Sequence, residues 1–173
     1  MDVRKLKFRR FRPTRATQAD RDRNAEVRLN ARDFIFPFFL VEGTGIRREL
    51  PSLYGGLHLS VDQAVEEARQ ALAAGIDKVL LFGVVDDALK TPDGRLAVGD
   101  DALVSRGVAA IKKNVPGVTV FTDVCVCEYT SHGHCGILKG DTVDNDETLP
   151  LLADMALSHA RAGADYVAPS AMM

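Results

Sequence analysis

From about residue 34 the chain alternates short, nearly continuous apolar runs with stretches in which apolar residues recur every three or four positions. The runs are Phe34 to Val41, Lys78 to Val84, Val118 to Cys125 and Asp165 to Ala168. They are too uniformly apolar for strands with one wet face, and they predict the doubly buried strands of a parallel sheet. Pro37 cannot donate to a strand ladder, so the first strand is predicted to begin at or after it.

Between the runs lie three amphipathic helices. Val61, Ala64, Val65, Ala68 and Leu72 form one stripe of a helix over Val61 to Ala74. Ser60 and Gln63 predict a capping box at its start, and Gly75 a left-handed stop. The second helix is predicted from Ala102 to Asn114, capped by Asp100 or Asp101, with Val104, Val108 and Ile111 facing the sheet and Pro116-Gly117 beyond its end. The third is predicted from Asp146 to Ala162 before Gly163, with Leu152, Met155, Ala156 and His159 on one face. Pro150 must sit in its first turn, or the helix begins later. His159 reads as a satisfied packing residue.

This βα alternation leaves two connections longer than structure requires, Val85 to Asp100 and Glu128 to Asp144. Both follow strand C-termini. In α/β folds that edge binds ligands, at the C-terminal face of a barrel or at the switch point of an open sheet.

Composition narrows the setting. The 173 residues are 46% apolar and 27% charged with a net charge of −2, an ordinary soluble chain with one domain's worth of core. The longest apolar run is far shorter than the roughly 20 residues needed to span a bilayer, so no membrane is expected. Arginines follow the N-terminus where a secretory signal would place an apolar segment, and an odd number of cysteines crowded by histidines fits a reducing, cytoplasmic setting. Charge is uneven: Arg4, Lys5, Lys7, Arg9, Arg10, Arg12 and Arg15 are basic. Such an arm is either solvated or contacts another subunit. With only Phe8 and Phe11 available for stacking, nucleic acid is not expected.

The chemistry concentrates in Asp123-Val-Cys-Val-Cys-Glu-Tyr-Thr-Ser-His-Gly-His-Cys-Gly136, which holds all three cysteines, Cys125, Cys127 and Cys135. Catalytic zinc keeps three protein ligands and leaves a fourth position open, whereas structural zinc closes with four. If the strand continues through the motif, Asp123, Cys125 and Cys127 share one face, and a turn at Gly133 and Gly136 returns Cys135. Three alternatives stand beside this: small buried thiols, a closed site with His132 or His134 as fourth ligand, and a redox dithiol. The last is disfavoured by the Cys-x-Cys spacing. Asp123 reads equally as a backbone-bonding carboxylate and as a group that orients a substrate amine or takes a proton. Tyr129, Thr130 and Ser131 read as packing and capping residues.

The same run closely resembles the zinc motif of the porphobilinogen synthase (5-aminolevulinate dehydratase) family. The likeness continues in Arg9-Arg-Phe-Arg12, Pro37 to Gly43, Leu81-Phe-Gly83, Asn145 to Leu149, Ala162 to Asp165 and Val167 to Ser170. The resemblance implies a (β/α)₈ TIM barrel, of which this chain offers about the first four strands and three helices. Residues 1–33 are then a basic N-terminal arm with a short helix, and residues 34–173 the N-terminal half of the barrel. It implies Zn²⁺ on Cys125, Cys127 and Cys135, acting as a Lewis acid, and leaves open a second Mg²⁺ or Zn²⁺ site. Asp123 and Ser170 match positions lining the site where two 5-aminolevulinate molecules condense to porphobilinogen in tetrapyrrole and haem biosynthesis. The arm would embrace neighbouring subunits of a homo-oligomer, often an octamer.

The sequence also departs from the family. It stops at Met173, where a barrel takes about 250 residues, and the family's Schiff-base lysines lie on later strands. Lys78, Lys90, Lys112, Lys113 and Lys139 do not replace them by position. Ser52-Leu-Tyr-Gly55 stands where the family usually has Ser-Met-Pro-Gly, and Ala171 stands at an often acidic position. The expectation is a truncated form inactive alone; the alternative is a stand-alone zinc-binding structural or regulatory module.

Overall fold

The computed structural model describes residue 7 and residues 9–171. Arg4, Lys5 and Phe8 of the expected arm lie outside the described residues. The chain divides after Asn30 into two compact units. In the first, α1 (Gln18–Asn24) starts at a capping box: the Thr17 hydroxyl accepts from the Asp20 N–H at 3.1 Å and the Asp20 carboxylate accepts from the Thr17 N–H at 3.3 Å. Arg9, Arg10, Arg12 and Arg15 are exposed, with the Arg9 guanidinium 5.1 Å above the Phe11 ring.

The second unit carries β1 (Phe36–Leu40), β2 (Arg47–Glu49), β3 (Leu57–Leu59), α2 (Val61–Ala73), β4 (Lys78–Gly83), α3 (Leu103–Asn114), β5 (Thr119–Asp123), β6 (Leu138–Lys139), β7 (Thr142–Val143), α4 (Asn145–Ala162) and β8 (Tyr166–Ala168). Six strands form one sheet in the order β2-β3-β1-β4-β5-β8, parallel throughout except for β2, while β6 and β7 make a separate antiparallel pair. The mixed α/β class and the four parallel strands expected from the apolar runs are present and adjacent in chain order.

The helices cover one face of this sheet. Phe38, Leu40, Leu59, Val79, Leu81 and Val120 are fully buried and cluster with Ala64, Val65 and Ala68 of α2 and Val104, Val108 and Ile111 of α3. Gly107 permits the close approach, since a Cβ there would stand 2.4 Å from Leu40 Cδ1. Strand alternation sends Phe39, Leu80, Phe82 and Phe121 to the other face, where they are half-buried. There Phe39 stacks on Phe82 at 5.2 Å and Phe121 on Tyr166 at 4.5 Å between centroids. A second cluster of Val85, Ala97, Val124, Val126, Tyr129, Leu151, Leu152 and Met155 lies beyond the C-terminal ends of β4 and β5.

Several local expectations are corrected. Pro37 lies inside β1 rather than at its start, opposite Leu80 of β4. Its nitrogen faces the β3 side, as the Val41 N–H to Leu59 carbonyl bond fixes by alternation, and β3 pairs only from Phe39 onward. The missing donor therefore breaks no ladder. Ser60 does not form the capping box: its hydroxyl accepts from the Ile46 N–H at 2.9 Å and donates to Asp62 at 2.6 Å. Neither Asp100 nor Asp101 caps α3, whose start carries no side-chain cap. Pro150 falls in the second turn of α4, not the first. The helix start is held by the Asp144 carboxylate on the Glu147 N–H and by the Thr148 hydroxyl on the Asp144 carbonyl. His159 packs at 0% exposure, yet neither ring nitrogen has a hydrogen-bond partner. The Gly75 stop is found, with φ +90° and an Ile76 N–H to Ala71 carbonyl bond.

Candidate metal centre

The strand that delivers the motif ends two residues earlier than the apolar pattern predicts. β5 stops at Asp123, although the Val124 N–H still reaches the Ala168 carbonyl of the neighbouring strand at 3.1 Å. Val124 and Val126 prolong the apolar run because they enter the second core cluster, not because the sheet goes on. The chain then turns at Val126, whose carbonyl accepts the N–H groups of both Tyr129 and Thr130 at 2.9 Å. The turn, rather than strand parity, swings Cys127 back toward Cys125, and their sulfurs stand 3.4 Å apart.

Cys135 returns through a second reversal. Gly133 adopts φ +73° and donates to the Thr130 carbonyl at 3.2 Å, while the Thr130 hydroxyl holds the His134 carbonyl at 2.8 Å. Gly133 needs its conformational freedom here; Gly136, expected to share that role, is not among the glycines with positive φ. The three sulfurs end within 4.8 Å of one another, Cys125 buried and the other two half-buried. Among the described residues this is the one group of three such ligands.

The donor set fits a soft divalent cation. Tetrahedral coordination with bonds of about 2.3 Å puts sulfurs roughly 3.8 Å apart, so the observed spacing needs only small adjustment. Burial pushes the Cys127 thiol up to about 12, helped by the neighbouring sulfurs and Glu128. Cys135 is raised too, first by its bond to the Cys125 sulfur and then by burial. Three thiolates held this close repel one another, and a bound cation offsets that repulsion.

His132 and His134 stand outside the cluster. His132 uses both ring nitrogens elsewhere, Nε2 on the Pro92 carbonyl at 3.1 Å and Nδ1 accepting the His134 N–H at 3.2 Å. His134 is exposed.

Asp123 closes the sheet end beside the cysteines. Its half-buried carboxyl is raised, first by desolvation, while the neighbouring Ser170 hydroxyl and Val124 N–H act in the opposite direction. Ser170 reaches it because β8 pairs alongside β5, Asp123 opposite Ala168. Tyr129 is 2% exposed and its hydroxyl has no hydrogen-bond partner; it occupies the space beside Gly83, where a Cβ would meet it at 2.0 Å.

The loop over residues 85–100, expected at the ligand-binding edge from its length and position, meets the metal motif through contacts that the sequence pattern did not specify. Thr91 bridges to Thr130, and the Lys90 ammonium, paired with Asp87 at 2.8 Å, lies in the field of Glu128 and Cys127. The turn sequence Pro92-Asp-Gly94 was the available signal.

A family model for delta-aminolevulinic acid dehydratase matches residues 8–173. This chain belongs to that family. The dehydratase of Ruminiclostridium josui is 45% identical over 166 residues, which are 96% of this chain and 80% of that protein. The Bacillus subtilis (strain 168) dehydratase is 41% identical, with 96% of this chain and 51% of that protein covered. The crystal structure of the Toxoplasma gondii ME49 dehydratase (porphobilinogen synthase), solved in complex with the reaction product porphobilinogen, superposes with a TM-score of 0.89 at 32% identity. That superposition covers 98% of this chain and 48% of the Toxoplasma chain. The chain thus spans about half the length of most of these dehydratases.

Proposed function

We propose that the chain supplies the metal half of a porphobilinogen synthase active site, in which two 5-aminolevulinate molecules condense to porphobilinogen. One observation carries this reading: three cysteine sulfurs within 4.8 Å, with no histidine among them, at the same sheet end as the Asp123 carboxyl. Cys125, Cys127 and Cys135 would hold Zn²⁺, which thiolates favour. When bound, that ion supplies Lewis acidity and an open coordination position.

The protein's own groups do the rest of the positioning. Asp123, less acidic than a solvated carboxylate, can take and hold a proton from a substrate ammonium, with the Ser170 hydroxyl beside it. The fold reading is the first part of a (β/α)₈ barrel. It is supported by helices packed on one face and by stacked aromatic residues on the other, the face that lines a barrel interior. Residues 1–33 serve as the arm through which subunits of a cytoplasmic homo-oligomer meet. The Schiff-base lysines come from outside this chain, which is inactive alone.

The rival reading, a stand-alone zinc-binding structural or regulatory module, would be favoured by a closed site with His132 or His134 as a fourth ligand. The engagement of both His132 nitrogens argues against His132 in that place, and His134 is exposed and outside the sulfur cluster. The test is to follow 5-aminolevulinate consumption and porphobilinogen formation with zinc, for the chain alone and for the chain joined to the remaining half of a family barrel. Product from the joined protein alone is the expected result. No product from either, with zinc bound and the fold intact, overturns the assignment.

A further inference from the structure

The turn that carries Cys127 leaves two of its backbone groups to be satisfied from outside. The carbonyl of Tyr129 and the N–H of Ser131 point away from it, and both are taken by one residue of the other long loop. The Thr91 N–H donates to the Tyr129 carbonyl at 3.1 Å, and the Ser131 N–H donates to the Thr91 carbonyl at 3.1 Å, one rung of parallel ladder. His132 Nε2 on the Pro92 carbonyl adds a third cross-link. Gly94, at φ +61°, seats its Cα directly on the turn: a Cβ there would stand 3.1 Å from Thr130 Cγ2 and 3.3 Å from Val126 Cβ. The segment is itself braced, since the Thr91 hydroxyl donates to Asp93 at 2.7 Å and Asp93 accepts Arg95 Nε at 2.8 Å.

We propose that Thr91 to Gly94 is a strut that sets the metal-binding turn, with Thr91 and Gly94 as positioning residues for Cys127 and Cys135. This rests on the reading of the three cysteines as metal ligands. Local bonds within the turn fix its curvature, and Val126 and Tyr129 anchor its inner side in the second core cluster; the strut holds the outer side, from Tyr129 to His132, against the loop over residues 85–100. Outer-shell groups that orient ligands govern metal affinity by about 10–100-fold, and these contacts are of that kind although they belong to backbone.

The test measures zinc affinity of the full chain by chelator competition and records the cobalt(II)-thiolate spectrum, with melting of the metal-free protein as the fold check. Gly94→Ala should weaken zinc binding about tenfold and alter the cobalt spectrum, while the metal-free protein, strained at φ +61°, still melts cooperatively at a somewhat lower temperature. Thr130→Ser added to Gly94→Ala removes the nearest clashing atom and should recover much of the loss, measured against Thr130→Ser alone. Asp93→Ala, an outward-facing change, should act in the same direction by a smaller factor, and it decides the matter if Gly94→Ala fails to fold. Wild-type affinity and spectrum in both Gly94→Ala and Asp93→Ala would overturn the strut. Failure of the wild-type chain to bind zinc or cobalt would overturn the metal reading itself, and the strut with it.

Discussion

The sulfurs of Cys125 and Cys127 lie 3.4 Å apart although the strand leading to them has already ended at Asp123. Burial pushes the Cys127 thiol up to about 12, with Cys125, Cys135 and Glu128 acting in the same direction. With Cys135 the pair makes a cluster that could hold a metal ion, and the proposed zinc reading gives Cys127 a measurable role. Cys127→Ser is expected to lower zinc affinity at least about a hundredfold while leaving the metal-free fold intact. Chelator competition alongside thermal melting reads both, and unchanged affinity would remove Cys127 from the ligand set.

Gly83 and Tyr129 form a second pair in which each residue constrains the other. A Cβ on Gly83 would stand 2.0 Å from the Tyr129 hydroxyl and 2.9 Å from Val104 Cγ2. Gly83→Ala should therefore destabilise by about 1–3 kcal/mol through overpacking. Tyr129→Phe alone should be close to neutral, because the buried hydroxyl it deletes has no partner. The double variant should recover part of the Gly83→Ala loss, and urea unfolding of all four proteins gives the coupling. Strict additivity would place the hydroxyl elsewhere.

Much of this fold was legible because its main elements are long and periodic. The α2 and α3 stripes place Ala64, Val65, Ala68, Val104, Val108 and Ile111 in the core, where they are found. β2 and β3 were not legible. Each is three residues long, and Arg47-Arg-Glu49 carries no apolar position, so only pairing with β3 makes it a strand. The end of β5 was misplaced because Val124 and Val126 continue the apolar pattern for a different reason, burial under the metal turn. Residue type alone singled out the three cysteines, and strand parity gave the wrong cause for their proximity. The part played by Thr91 and Gly94 depends on two loops meeting across long sequence separation, which local pattern cannot encode.

His159 makes stability depend on pH. Desolvation lowers its pKa from 6.5 to about 4, so the folded protein keeps it neutral while the unfolded chain protonates it below 6.5. The unfolded state then binds more protons between these values, and stability present above pH 6.5 is lost as pH falls toward about 4. At about pH 5 the loss is about 2 kcal/mol. Urea unfolding near pH 7.5 and about pH 5 should show this difference in the wild-type chain and a smaller one by that amount in His159→Leu. An equal pH response in both would exclude His159 as its source.

The most direct measurement is X-ray absorption at the zinc edge of the zinc-loaded chain. The predicted spectrum has three sulfur ligands at about 2.3 Å and one exchangeable oxygen ligand, with the sulfur count falling to two in Cys135→Ser. A closed shell containing an imidazole from His132 or His134, or four ligands none of which exchanges, would contradict an open catalytic centre built from Cys125, Cys127 and Cys135.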